Sequence, residues 1–359
     1  MMTVIVAQKY MNLSRLIVIA LSAIVALSGN VLSVKAAEVR SGNRTFADWC
    51  RQKADLSPEL KHTVDVLLKK AETNECEAAD RKLSSLRGLR LIDNKISNIK
   101  PLASLTNLTR LILLSNQISD IKPLESLTKL TWVWLDNNQI SDIKPLASLT
   151  NLTRIGIANN QISDIKPLES LTNLTVIGLA NNQINDIKPL ESLTNLELLS
   201  LDNNQINDIK PLESLTNLEL LSLANNQIID IKPLESLTNL TRLTLDNNQI
   251  NNIKALESLT NLGWLTLDNN QINDIKPLES LTNLRLLSLS ENPISDIKPL
   301  ESLSNLSWLI LANTQISDIK PLESLTNLRE LHLSGNPIAP KTCPLKPESI
   351  CKWEPQAKP

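Results

Sequence analysis

In a chain of 359 residues, 42% hydrophobic residues can build a large core, but only 2% are aromatic, with one Phe and one Tyr. Such a core must be made almost wholly of Leu and Ile, which points to one small unit copied many times rather than to two or three unrelated domains. Two His, His62 and His332, leave a thin inventory for acid–base or metal chemistry, and a formal net charge of -2 gives no footprint for nucleic acid or an anionic membrane.

The first element is a leader. Lys9 and Arg15 precede an apolar run, Leu16 to Leu27, and small residues follow at Val34-Lys35-Ala36-Ala37. A basic start, about a dozen apolar residues and a small-residue cut site describe a secretory signal peptide over residues 1–36. A retained membrane anchor is the alternative. The run is short of the roughly 20 residues that span a bilayer, and Asn30 and Lys35 close it off. The mature protein is therefore expected outside the cytoplasm, secreted or periplasmic, without stable membrane insertion. Residues 37–82 then form a cap. Ser57-Pro58 starts a helix, and Leu60, Val64, Leu67 and Leu68 share one of its faces.

From Leu83 the sequence repeats every 22 residues. The copy at Leu105 reads LTNLTRLILLSNQISDIKPLES, and eleven full copies and one partial copy fill residues 83–339. Positions 1, 4, 7, 9, 14, 17 and 20 are aliphatic; in this copy they are Leu105, Leu108, Leu111, Leu113, Ile118, Ile121 and Leu124. Positions 7 and 9 alternate with polar or variable neighbours, as in a strand, and the later apolar residues recur every three, as in a 3₁₀-like return. One copy cannot bury seven such residues, so the copies stack into one core with a parallel sheet on one face. Position 12 is Asn in every copy but the eleventh, where Thr314 stands. An Asn amide at the turn after each strand satisfies backbone groups that would otherwise be buried unpaired, so this ladder should weaken at Thr314.

This consensus resembles the 22-residue class of leucine-rich repeats found in bacterial internalins. The resemblance implies an α/β repeat solenoid, a right-handed superhelix with the parallel sheet on its concave side, an irregular or 3₁₀ convex side and a helical N-terminal cap. It also implies protein binding through the concave face.

Outward positions 6 and 8 of the strand vary while the scaffold does not. All four Trp of the repeats, Trp132, Trp134, Trp264 and Trp308, fall in these two columns. Trp and Arg are the side chains that anchor interfaces, so Arg154 and Arg242 join the candidate set. Gly156 and Gly178, on the strands after Trp134, are expected to leave a shallow hollow beside its ring, with Asp136 at the rim. On the convex side, position 18 is Lys in all full copies, Asp recurs at position 16 and Glu at position 21. Matched rows of opposite sign describe a solvated face. Triplets such as Asn107-Leu108-Thr109 match the glycosylation sequon only because the repeat recurs.

Residues 340–359 form the C-terminal cap. The four Cys lie in the flanks, and strands about 4.8 Å apart hold the two ends roughly 50 Å from each other, beyond the reach of a disulfide. The pairs are therefore Cys50–Cys76 and Cys343–Cys351. A metal site lacks His partners and paired-cysteine spacing. Glu330 and His332 face one side of a strand, but with no nucleophile beside them they read as a solvated polar edge. The reading is a non-enzymatic binding protein without catalytic residues, cofactor or metal. Its partner is a protein or peptide, with a glycan-binding or structural cell-envelope role as the alternative.

Overall fold

The computed structural model describes residues 44–354. The expected signal segment and its cleavage site lie outside them, as do the last five residues. Three helices, α1 (Phe46–Arg51), α2 (Pro58–Ala71) and α3 (Cys76–Ser84), precede thirteen strands in one sheet, every pair parallel and in chain order. Twelve strands, β1 (Gly88–Arg90) to β12 (Glu330–His332), are spaced by the 22-residue period, and β13 (Cys351–Lys352) closes the series. Strands return through 3₁₀ turns such as Lys210–Ser214. Among the described residues no helix is long and apolar enough to cross a membrane.

The aliphatic positions of the repeat form a continuous buried stack from Leu89 to Leu333. Asn204 shows what holds the turns. Its Nδ2 donates to the carbonyls of Leu179 at 3.1 Å, Leu201 at 3.0 Å and Asp202 at 3.3 Å, while its Oδ1 accepts the Ile184 N–H at 3.0 Å. One amide thus satisfies four backbone groups across two repeats. The residue before it sits in the left-handed region (Asn203, φ 56°), which Asn tolerates better than most side chains. At Thr314 the pattern fails as expected. The Ile294 N–H turns to the carbonyl of Asn292 at 2.9 Å, and the Leu289 carbonyl keeps only the amide of Asn292.

The Asp row assigned to a solvated face and the Asn of the sequon-like triplets both have structural work as well. Asp208 Oδ1 accepts the Lys210 N–H at 2.8 Å and so starts the 3₁₀ turn, a contact that recurs in other copies. The Asn of the sequon-like triplets donates one repeat back, as Asn239 does to the Thr216 carbonyl at 2.9 Å.

The N-terminal helices bury Phe46, Val64, Leu67 and Ala79 against the first repeat. The Cys50–Cys76 disulfide joins α1 to α3, and Thr63 Oγ1 donates to the Asn98 carbonyl at 2.7 Å. Helix α3 runs through Leu83, so the first copy begins as the last turn of the cap helix rather than as loop. At the other end the Cys343–Cys351 disulfide ties β13 to the segment after β12, and β13 pairs in parallel with β12.

Asn204→Ala should lower unfolding stability by about 2–4 kcal/mol, because it strands several buried backbone groups at once. Thr314→Asn should raise stability by about 1 kcal/mol and slow hydrogen exchange at Ile294. Urea titration and exchange measurements check both.

Candidate binding face of the sheet

In each strand the central residue points into the core and its neighbours at positions 6 and 8 point outward. The register sets Arg110, Trp132 and Arg154 side by side on β2 (Arg110–Ile112), β3 (Trp132–Trp134) and β4 (Arg154–Gly156). Both guanidinium groups lie against the Trp132 ring, 4.3 Å from its centroid for Arg110 and 4.7 Å for Arg154. Each contact is a cation–π interaction. Arg110 was absent from the sequence-derived set, although the same column and the 22-residue spacing carry it.

The hollow expected beside Trp134 is not at Gly156. A Cβ there would stand 1.9 Å from Cε3 and 2.3 Å from Cζ3 of Trp134. The Trp134 ring therefore fills the space that the missing side chain leaves. Open space sits one strand further, at Gly178, where a Cβ would meet only the Gly156 Cα at 3.8 Å and the Ile155 carbonyl at 4.0 Å.

Asp136 Oδ1 accepts the Ala158 N–H at 2.7 Å. The equivalent carboxylates also take a hydroxyl from position 8 of the next repeat: Asp202 from Ser222, Asp246 from Thr266 at 2.8 Å, Asp268 from Ser288 at 2.6 Å. For Asp136 that neighbour is Gly156, so no hydroxyl comes and the second oxygen stays beside the Trp134 ring. Burial pushes the Asp136 carboxyl up to about 6 against the pull of the Ala158 N–H. Burial and the charge of Asp268 push Asp246 to about 6 as well.

Arg242 lies 5.8 Å from the centroid of Trp264, its partner in register. Trp264 and Trp308 are 38% and 37% exposed. The candidate residues therefore fall into three places along the sheet: the contiguous set from Trp132 to Gly178, the Arg242–Trp264 pair, and Trp308. His332 is a correction: it is 5% exposed, its Nε2 lies 2.7 Å from Glu330 Oε1, and β13 runs beside it. It is a buried residue at the joint with the cap, not a solvated edge.

Sequence reasoning also passed over position 5, at the rim of this face. There Glu197 and Glu219 line one hollow of about 740 Å³, and Arg285 and Arg329 line another of about 630 Å³. The signal was the departure of these residues from the Thr that fills that position in most other copies.

Asp136 and Asp246 fix a pH dependence. Their folded values near 6 stand above the ordinary 3.8, so the folded chain takes up protons first as pH falls. Each therefore lowers stability at pH 7 and ceases to do so as pH falls through 6 towards 4. Asp136→Asn should be more stable than the parent at pH 7 by about 1–3 kcal/mol and equal to it near pH 4, read as the difference between two melting curves.

Six segments, residues 84–126, 128–170, 172–214, 216–259, 260–302 and 304–346, match the family described as leucine rich repeats (two copies). Among solved structures, the internalin InlF of Listeria monocytogenes is similar with a TM-score of 0.72 at 34% identity, covering 85% of this chain and 99% of that one. The leucine-rich-repeat protein LIC12759 of Leptospira interrogans is similar with a TM-score of 0.59 at 25% identity, covering 77% of this chain and 91% of that one. The plant peptide hormone receptor RGFR1, solved with RGF2, shares the fold with a TM-score of 0.63 at 23% identity, covering 72% of this chain and 45% of that one. No curated protein sequence matches the chain.

Proposed function

The chain belongs to the leucine-rich-repeat family as an internalin-like member, and we propose that it is an exported binding protein whose concave sheet face recognises a protein or peptide partner. One observation carries the reading. In a repeat whose inward residues barely change, the outward columns gather every repeat Trp, and Arg side chains stack on two of those rings. Shielding the sheet from water does not call for rings left more than a third exposed, and aromatic–Arg clusters are what protein interfaces bury at their centres. Export rests on the leader-like residues 1–36 and fits the two disulfides, which persist in oxidising compartments.

The anchor is the set Trp132, Trp134 and Arg154, with Arg110 as its second cation and the opening at Gly178 as the place a partner side chain enters. Asp136 offers its spare oxygen to a donor at that opening. A glycan is the second reading, favoured by that same pairing of a carboxylate oxygen with an indole face.

The experiment is affinity capture with the chain lacking residues 1–36, followed by variants tested against the captured partner. Trp132→Ala should weaken binding by about 2 kcal/mol with folding little changed. Gly156→Leu drives the Trp134 indole from its seat and should weaken binding by a similar amount, whereas Ile229→Ser, at an exposed residue away from the strands, should not. Equal binding by all three variants and the parent would remove the Trp132–Trp134 region from the interface.

A further inference from the structure

Position 5 normally joins one copy to the next. The hydroxyls of Thr109, Thr131, Thr153, Thr175 and Thr241 donate to the carbonyl of position 5 one repeat back, at 3.0 to 3.4 Å. The last copies abandon this bond: the column there reads Gly263, Arg285, Ser307, Arg329. A chain that keeps its scaffold almost residue for residue gives up an inter-repeat hydrogen bond at this place and sets two exposed cations in its stead.

Three of the replacements, Arg285, Ser307 and Arg329, line the hollow of about 630 Å³. Arg285 and Arg329 are two repeats apart, about 10 Å along the sheet, and the small Ser307 lies between them. Trp308, 37% exposed, forms an apolar wall. Asn305 and Asn327 also line it, each held by its amide donating to a carbonyl one repeat back, at 2.9 and 2.8 Å. Among the described residues neither arginine is in an ion pair. The acidic residue next in sequence to Arg329 is Glu330, and its Oε1 is engaged by His332.

We propose that this hollow is a carboxylate-binding site for an acidic side chain of a protein partner. Arg285 and Arg329 grip the carboxylate from opposite sides above Ser307, and Trp308 covers the aliphatic stem. Guanidinium forks match carboxylate oxygens in pairs, and an anion between the two cations also relieves their mutual repulsion. The room beside Trp308 favours a carboxylate on an apolar stem over a bare anion. Glu197 and Glu219, further along the same rim, repel an acidic segment and so direct it to the C-terminal copies. The site lies eight strands from Trp132, about 38 Å. It goes beyond the anchor described above and does not depend on it.

The test needs no captured partner. A fluorescein-labelled hexaglutamate peptide is titrated with the full chain at low salt, with anisotropy as readout and hexalysine and inorganic phosphate as competitors. The parent chain should bind the peptide and lose affinity as salt rises. Arg285→Ala with Arg329→Ala should weaken binding about tenfold or more. Ser307→Glu places an internal carboxylate between the arginines and should abolish binding while the melting temperature holds or rises. Lys210→Ala with Lys232→Ala, which removes two exposed cations of the 3₁₀ turns away from the strands, should bind as the parent does. The proposal is overturned if the Arg285/Arg329 variant binds hexaglutamate as tightly as the parent, or if the Lys210/Lys232 variant loses as much. It is equally overturned if phosphate displaces the peptide at equal concentration, which would mark a general anion site.

Discussion

Everything in this solenoid depends on where the backbone groups of its turns find partners. The position-12 Asn answers that question with one amide serving four groups, two of them in the preceding repeat. Because each rung reaches backward by a fixed number of residues, no copy can gain or lose one without stranding the next. The period is thereby locked, and with it the aliphatic stack. Freedom remains where a side chain satisfies no backbone group, at positions 6 and 8 of the strand and, in the copies that lack its Thr, at position 5. Chemical diversity collects there because the rest of the repeat is committed.

That division explains which features were legible in the sequence. The period, the buried positions, the Asn ladder with its fault at Thr314 and the two disulfides follow from local pattern and from stacking, and each is found. Other features turn on how a side chain lies across its neighbours. Gly156 reads as an absence, yet the Trp134 ring occupies it. Asp136 reads as a rim group, yet its character comes from a hydroxyl that Gly156 does not supply. His332 reads as exposed because β13 arrives from a segment without the repeat. Position 5 was legible in principle, since residues 22 apart are spatial neighbours, but the bond its Thr hydroxyls make one repeat back depends on where those side chains lie.

Along the sheet the face changes character in bands. Arg and Trp crowd the early strands, and small hydroxyls with buried carboxylates fill the middle, where Asp202, Asp246 and Asp268 each take a hydroxyl from the next copy. Arg and Trp return towards the end. The middle band is internally satisfied, so it offers a partner few unmet hydrogen bonds. Both terminal bands carry cations beside rings. A ligand that spans the face meets cationic, aromatic ends and a centre lined by carboxylates.

The Arg110–Trp132–Arg154 stack has a kinetic meaning. An isolated surface indole samples several rotamers, and a partner that seats against it must first freeze one. Here two guanidinium groups already hold the ring from both sides, and each of them is restrained in turn. The ordering entropy is settled during folding rather than at encounter. Complexes formed on such a surface close without waiting for a rearrangement, and differences among their affinities reside in how slowly they come apart.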